Sequence, residues 1–251
     1  AGAGPERLAN VERAVAIAAG ILDSGGSAVE AAVQGCVVLE DDPVFNAGTG
    51  SVFRTDGSVH LDASIQTSEG KMGFVIGMQD TPNPIRVAAG LLDEDINGLS
   101  GDGARIWADS KGFEKSNVQG RPPFEGATDT VGVLARDKHG IIVCATSTGG
   151  TSNRPPGRVG DVPLPGCGFW VQDGVGVGAT GIGEAITRGM ISLRVADRIL
   201  DGNDLEESMM WALDECLEGG AEVGIIALGA EGTGHGVSNS TNMPWASWIA
   251  R

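Results

Sequence analysis

Thr130 opens an apolar run, Val131 to Ala135, and a second run, Ile141 to Ala145, leads into Thr146-Ser147-Thr148-Gly149-Gly150. Between the runs stands Asp137-Lys138-His139-Gly140, a polar turn closed by glycine, so the pair reads as a β-hairpin that returns Thr130 beside the hydroxyl-rich end. Arg158 and Asp161 follow in a loop bearing Gly157 and Gly160. A threonine hydroxyl facing other hydroxyls and followed by a Gly-rich loop with one Arg and one Asp could carry nucleophilic chemistry or be only structure. Taken singly each residue is ordinary, since a threonine in a strand is usually scaffold and Arg158 with Asp161 reads equally as a surface salt bridge.

A threonine hydroxyl is a weak nucleophile and needs a base. The three histidines, His60, His139 and His235, show no metal-binding or triad spacing, and no G-x-S-x-G elbow occurs, so metal-dependent and Ser-His-Asp hydrolysis are disfavoured. Cys36, Cys144, Cys167 and Cys216 lie far apart without a C-x-x-C pair, which points to buried free thiols rather than zinc or redox chemistry. The formal net charge of −16 argues against a nucleic-acid partner, because phosphate binding needs a basic surface. Only four of the seventeen basic residues are lysine, a balance that would suit high salt although acidity alone usually means solubility. No long apolar window and no basic segment leading an apolar core are present, so a soluble, cytoplasmic protein without membrane partners is expected.

The blocks Glu40-Asp41-Asp42-Pro43-Val44-Phe45-Asn46-Ala47-Gly48, Asp62-Ala63-Ser64-Ile65, Thr130-Val131-Gly132, Thr146-Ser147-Thr148-Gly149-Gly150, Gly157-Arg158-Val159-Gly160-Asp161, Ala179-Thr180-Gly181-Ile182-Gly183-Glu184 and Ser240-Thr241-Asn242-Met243-Pro244-Trp245-Ala246 occur in that order. Together they resemble the plant-type asparaginase and isoaspartyl aminopeptidase family of N-terminal nucleophile hydrolases, related to glycosylasparaginase. The resemblance implies an αββα sandwich and cleavage between Asp129 and Thr130, giving segments 1–129 and 130–251 of one domain. It makes Thr130 the nucleophile, with Thr148 hydrogen-bonded to its hydroxyl and Thr180 with the Gly181 N–H stabilising the oxyanion. Arg158 would hold the substrate α-carboxylate and Asp161 its α-ammonium, Gly183 would line that clamp, and Asn46 would face the substrate. It also implies a structural sodium ion on the carbonyls of Leu39, Glu40, Asp42, Phe45, Ala47 and Thr49, no cofactor for the chemistry, a small-molecule or dipeptide substrate, and a dimer of cleaved units. Freed by cleavage, the Thr130 α-amine, of reference pKa about 7.7–8.0, can take the hydroxyl proton.

Some residues depart from the family pattern. Asp129 replaces the usual glycine and matches glycosylasparaginases, Ile182 replaces His or Thr, and Phe169-Trp170 stands where smaller residues are common, so substrate preference is the open variable. The alternatives are hydrolysis of glycosylasparagine, or an unprocessed homologue that serves as a binding or assembly module.

The elements that must position these residues follow from periodicity. Apolar residues at three- and four-residue spacing predict a helix over 6–23 with Leu8, Val11, Val15, Ala18 and Leu22 facing inward, and a second helix capped by Ser27 and Glu30. Thr55-Asp56-Gly57 predicts a hairpin between 51–54 and 58–62. Short helices are expected over 84–92 and 100–109, strands over 72–78 and 174–179, one helix over 185–200, another over 205–217, and a closing hairpin over 223–240. Residues 111–128 change to Gly, Pro, Ser and charge and read as a linker, and the irregular 149–168 reads as a functional loop. The Gly-rich turn at Gly181 and Gly183 could instead cradle phosphate, but it lacks the P-loop lysine. Strands, helices, strands in this order make the chain α+β.

Overall fold

A computed structural model describes residues 5–122 and 130–249. Helix α1 (Leu8–Asp23) and helix α2 (Ala28–Glu40) pack together, followed by strands β1 (Leu61–Thr67) and β2 (Met72–Met78), helix α3 (Pro84–Gly90), strand β3 (Gly98–Ser100) and helix α4 (Gly101–Ser110). Strands β4 (Val131–Arg136) and β5 (Ile142–Thr148) complete a five-stranded sheet of order β3-β2-β1-β5-β4, antiparallel except for β2 beside β3. The second sheet is antiparallel, with β6 (Phe169–Gln172), β7 (Val175–Gly181), β8 (Val223–Gly229) and β9 (Gly234–Ser238) in sequence order. Helices α5 (Gly183–Gly189), α6 (Ile191–Leu200) and α7 (Leu205–Glu215) lie between β7 and β8 in the chain. Helices α2, α3 and α4 cover one sheet, with α1 packed on α2, α6 and α7 cover the other, and the two sheets face each other through β1, β4 and β5 against β6, β7 and β8. This is the expected αββα sandwich.

Sequence chemistry accounts for the layers. Every residue of β1 and β5 is buried, because each strand has helices on one face and the second sheet on the other, which suits their continuous apolar and small side chains. The layer between the sheets is thin: Ile142, Cys144, Phe169 and Val171 fill it, and a Cβ at Gly176 would lie 2.8 Å from Ile142. Polar ties cross the same layer. Gln66 donates to the Val171 carbonyl at 3.0 Å and accepts from its N–H at 3.1 Å, and the Ser64 hydroxyl donates to the Val162 carbonyl at 2.7 Å. Ser27 caps α2 by accepting from the Glu30 N–H, and Asp137 in the β4–β5 turn accepts from Ala28, so the nucleophile hairpin is fastened to the start of α2.

Several local expectations are revised. The 51–54 segment forms no hairpin strand; the Val52 N–H is taken by the Asn46 side chain and Phe53 pairs with the Arg121 carbonyl, leaving only a turn in which the Arg54 N–H reaches Ser58. As far as Pro122 the expected linker is laid down on the body, because Arg105, itself buried, donates to the Phe113 and Glu114 carbonyls and Ser116 bonds to Asp80. Residues 123–129, including Asp129, are outside the described residues. The helix expected over 185–200 breaks at Met190, which adopts the left-handed conformation (φ 45°) between α5 and α6. Leu8 is exposed rather than inward, while Ala18 is buried as expected, together with Ala14 and Ala19. All four cysteines are buried and free. Among the described residues no helix is long and apolar enough to cross a membrane.

Candidate active site

Strand register assembles the centre. Asp62 stands opposite Thr148 and Ser64 opposite Thr146 across β1 and β5, while Val131 and Gly132 stand opposite Ser147 and Thr146 across β5 and β4. Thr130, immediately before β4, therefore comes level with Thr148, and cross-strand partners share a face of the sheet. That face looks into the layer between the sheets, since Ser64 and Thr146 share a 2.6 Å hydroxyl contact there. Thr148 is buried, and its hydroxyl accepts from the Gly150 N–H at 3.0 Å, which tightens the Gly149–Gly150 turn.

Thr180 and Gly181 end β7 on the opposing sheet. Gly181 has φ 134° and lies so close to the neighbouring strand that a Cβ would come within 2.2 Å of the Glu222 carbonyl, so only glycine fits this turn from strand to α5. A cavity of about 200 Å³ is lined by Thr130, Thr146 and Thr180 together with Leu22, Trp245 and Trp248. Arg158 and Asp161 are not in its walls, so the charged pair lies outside this cavity.

The charged groups gather at the start of α5. A Cβ built on Gly183 would lie 2.7 Å from both Arg158 Nη2 and Asp161 Oδ1, so guanidinium and carboxyl converge on the one residue that leaves them room. Arg158 is 10% exposed and its Nε and Nη2 form a fork on Glu184, at 3.1 and 3.0 Å. Burial works against ionised Glu184, but this fork and the Arg158 charge hold its carboxyl below the ordinary range. Asp161 is buried with Oδ2 unpartnered, and burial pushes it up to about 7 against the opposing pull of Arg158. Asp62, fully buried, accepts from the Gly77 N–H at 2.8 Å through Oδ1, has Oδ2 unpartnered, and is pushed by burial up to about 6.

Other expected residues have distinct places. Asn46 is fully buried, with Oδ1 accepting from the Val52 N–H and Nδ2 donating to the Gly150 carbonyl, so both ends of its amide knit the 46–52 loop to the Gly149–Gly150 turn. In the carbonyl loop, Leu39, Glu40, Asp42, Phe45 and Ala47 are buried and Thr49 is exposed. A Cβ would meet the Glu40 carbonyl at 2.6 Å from Gly48 and the Phe45 carbonyl at 2.1 Å from Gly50, so only glycine fits against these carbonyls. Were these carbonyls to act as ligands, an oxygen-only set would fit a hard monovalent cation better than a transition metal, and among the described residues no three His, Cys, Asp or Glu side chains gather as ligands. Burial pushes the Glu40 carboxyl up to about 8, although the Ile85 N–H bonds to it at 3.1 Å.

With Thr130 level with Thr148, and Arg158 and Asp161 meeting at Gly183, the order of the blocks in sequence becomes one constellation in space. A family model described as asparaginase matches residues 3–122 and 116–250. The chain belongs to the asparaginase family. A plant-type L-asparaginase of Pyrobaculum calidifontis is 35% identical over 234 residues, covering 82% of this chain and 78% of that protein. An isoaspartyl peptidase/L-asparaginase of Synechocystis is 35% identical over 239 residues, covering 84% and 72%, and one of Homo sapiens is 35% identical over 259 residues, covering 94% and 84%.

Within this asparaginase-family fold, sequence reasoning left three charged residues without a role. Glu184 ended a recognised block but had no stated partner, Asp62 sat in another, and Arg54 was read as part of a scaffold hairpin. The signal that could have drawn notice to Asp62 is polarity at an inward-facing position, because a strand residue opposite Thr148 must point where Thr148 points.

Proposed function

We propose that the protein is a threonine amidohydrolase that frees L-aspartate from L-asparagine and from β-aspartyl peptides, after cutting its own chain between Asp129 and Thr130. The observation that carries this reading is the convergence of Arg158 and Asp161 on Gly183 in the sandwich that also brings Thr130 level with Thr148. Asp161 and Arg158 grip the ammonium and α-carboxylate, leaving the side-chain amide to the threonines. Thr130 Oγ1 attacks the amide carbon while its proton passes to the Thr130 α-amine. The negative oxygen is held by the Thr180 hydroxyl and the Gly181 N–H, and a donor so placed contributes roughly 3–4 kcal/mol. Collapse breaks the C–N bond, the α-ammonium returns the proton to the leaving nitrogen, and ammonia or the peptide amine departs. Water, deprotonated by the same amine, opens the remaining ester and releases aspartate.

Before cleavage the Thr130 nitrogen is an amide without basicity, so the same Oγ1 must first attack the Asp129 carbonyl, shift the chain from nitrogen to oxygen, and let water open that ester. Sodium on the inward carbonyls of the 39–49 loop would fix the Asn46 end of the Gly149–Gly150 turn. Support for the choice of asparagine and β-aspartyl peptides also comes from the relatives' names. The decisive experiment is N-terminal sequencing of purified protein together with ammonia and amine release from asparagine, a β-aspartyl dipeptide and glycosylasparagine. Fragments beginning at Thr130 with release from the first two are expected. An uncut chain that hydrolyses asparagine would refute the mechanism, and release from glycosylasparagine alone would move the substrate assignment.

A further inference from the structure

Arg54 is 2% exposed, yet its Nε and Nη1 have no hydrogen-bond partner and Nη2 makes only a 3.4 Å contact with the His60 carbonyl. The buried Asp62 carboxylate attracts it, but no hydrogen bond joins the two, and a buried guanidinium so poorly bonded is costly to retain without a use. Its position supplies a use. Gly150, at φ 78°, leaves space that the guanidinium occupies, since a Cβ there would lie 2.6 Å from Nη1 and 2.7 Å from Nη2. Gly150 is two residues beyond Thr148 and its carbonyl is held by Asn46, so Arg54 sits directly beneath the turn that ends the nucleophile hairpin. The Thr55 N–H bonds to the Arg154 carbonyl at 3.0 Å, which joins the Arg54 turn to the loop that carries Arg158. Arg54 and Arg158 feel each other's charge, and Asp62 feels both. Glu184 occupies the Arg158 fork, whereas no carboxylate is hydrogen-bonded to the Arg54 guanidinium, which has only the charge of Asp62 and Asp56 to set against burial.

We propose that Arg54 is a specificity residue for the free α-carboxylate of the substrate: packed under the Gly149–Gly150 turn, it acts through that turn and beside Arg158 to favour an anion in the clamp. This rests on the asparaginase reading and refines it. The pocket is built for amino acids whose α-carboxylate is free, and asparagine embedded in a peptide chain is disfavoured twice, by two guanidiniums rather than one. Arg54 is a positioning residue in this scheme, touching the turn rather than the scissile amide.

The test compares two ligands that differ only in the α-carboxylate. L-Aspartate carries it and β-alanine is the same molecule without it, and both are titrated calorimetrically into wild-type, Arg54→Met and Arg54→Lys protein. Arg54→Met is expected to weaken L-aspartate roughly tenfold, about 1.4 kcal/mol, to leave β-alanine within twofold, and to leave Tm little changed, because the lost attraction to Asp62 is set against removal of a buried, poorly hydrogen-bonded charge. Arg54→Lys should restore part of the aspartate affinity. Equal weakening of both ligands with a lower Tm would make Arg54 a scaffold residue and overturn the proposal, as would aspartate affinity unchanged in Arg54→Met. Wild-type protein that binds neither ligand would overturn the asparaginase reading itself, an outcome distinct from either of these.

Discussion

Replacing Gly183 by alanine separates binding from folding. Gly183 begins α5, its backbone is not in the left-handed region, and the nearest atoms to a new methyl are the ends of two side chains, Arg158 Nη2 and Asp161 Oδ1, each at 2.7 Å. Ordinary contact needs 3.4 Å, so each polar end must retreat by roughly 0.7 Å, and both can do so by rotation. The next contact, the Asp161 backbone nitrogen at 3.4 Å, needs no movement. The fold therefore survives, and alanine at a helical position contributes at most ~1 kcal/mol of added stability over glycine. The clamp does not survive. A hydrogen bond to a charged group is worth about 1.5–3 kcal/mol, and a misplacement approaching 1 Å can cost on the order of a hundredfold, so KM for asparagine should rise between ~10- and ~100-fold. Thermal melting read alongside steady-state ammonia release is the assay. A folded Gly183→Ala protein with Tm at or above wild type and KM within twofold would refute the convergence of the clamp on this residue, whereas a Tm loss of several degrees would show that the methyl meets backbone instead.

Four further outcomes follow from the same geometry. Arg158→Lys should raise KM for asparagine at least tenfold while self-cleavage proceeds, because an ammonium cannot reproduce the fork now resting on Glu184, and an unchanged KM in steady-state kinetics would remove Arg158 from the clamp. Aspartate binding should weaken about tenfold per pH unit below pH 7, because Asp161, raised by burial to about 7, must be ionised to hold the ammonium; calorimetric affinities flat from pH 5 to 8 would contradict this. Glu40→Gln should stabilise the protein increasingly as pH rises: the folded carboxyl is raised by burial from 4.5 to about 8, so the native state binds the extra proton, and wild-type stability falls across that window by an upper bound on the order of 4–5 kcal/mol. Urea unfolding of both proteins at pH 5 and pH 8.5 reads it, and equal losses in the two would exclude Glu40 as the cause. Finally, Thr130→Ala should remain a single, folded, inactive chain on a denaturing gel, and a cleaved Thr130→Ala would assign the cut to another nucleophile.

The long elements were legible because one physical signal dominates each. Ser27 and Glu30 announce α2, the apolar runs on either side of Asp137 announce β4 and β5, and their register alone brings Thr130 level with Thr148. Elements whose cause is tertiary were not. Strand β3 has three residues and exists because β2 offers it an edge, the Met190 break depends on a left-handed backbone that methionine does not advertise, and the 51–54 strand is lost because the Asn46 side chain takes the Val52 N–H. Local preference in that segment supports a hairpin; the competing hydrogen bond to a buried amide six residues upstream does not enter a propensity argument.

The charged cluster illustrates the same division at the site. Arg158 and Asp161 are close in sequence and could be read as a pair, but Asp62 enters only through its register with Thr148, and Glu184 only because β7 delivers α5 to the Arg158 loop. That assembly changes what substrate recognition must be. In this structure the Arg158 fork already rests on Glu184, so an incoming α-carboxylate either shares the guanidinium's remaining Nη1 or displaces one arm of the fork. Since Glu184 is partly exposed, at 39%, it can turn to water at small electrostatic cost, whereas Asp161 and Asp62 are buried and cannot. On the proposed function, recognition is then an exchange of carboxylates on one guanidinium, with Glu184 as the group that leaves, while the attraction of the buried Asp62 carboxylate keeps Arg158 in place.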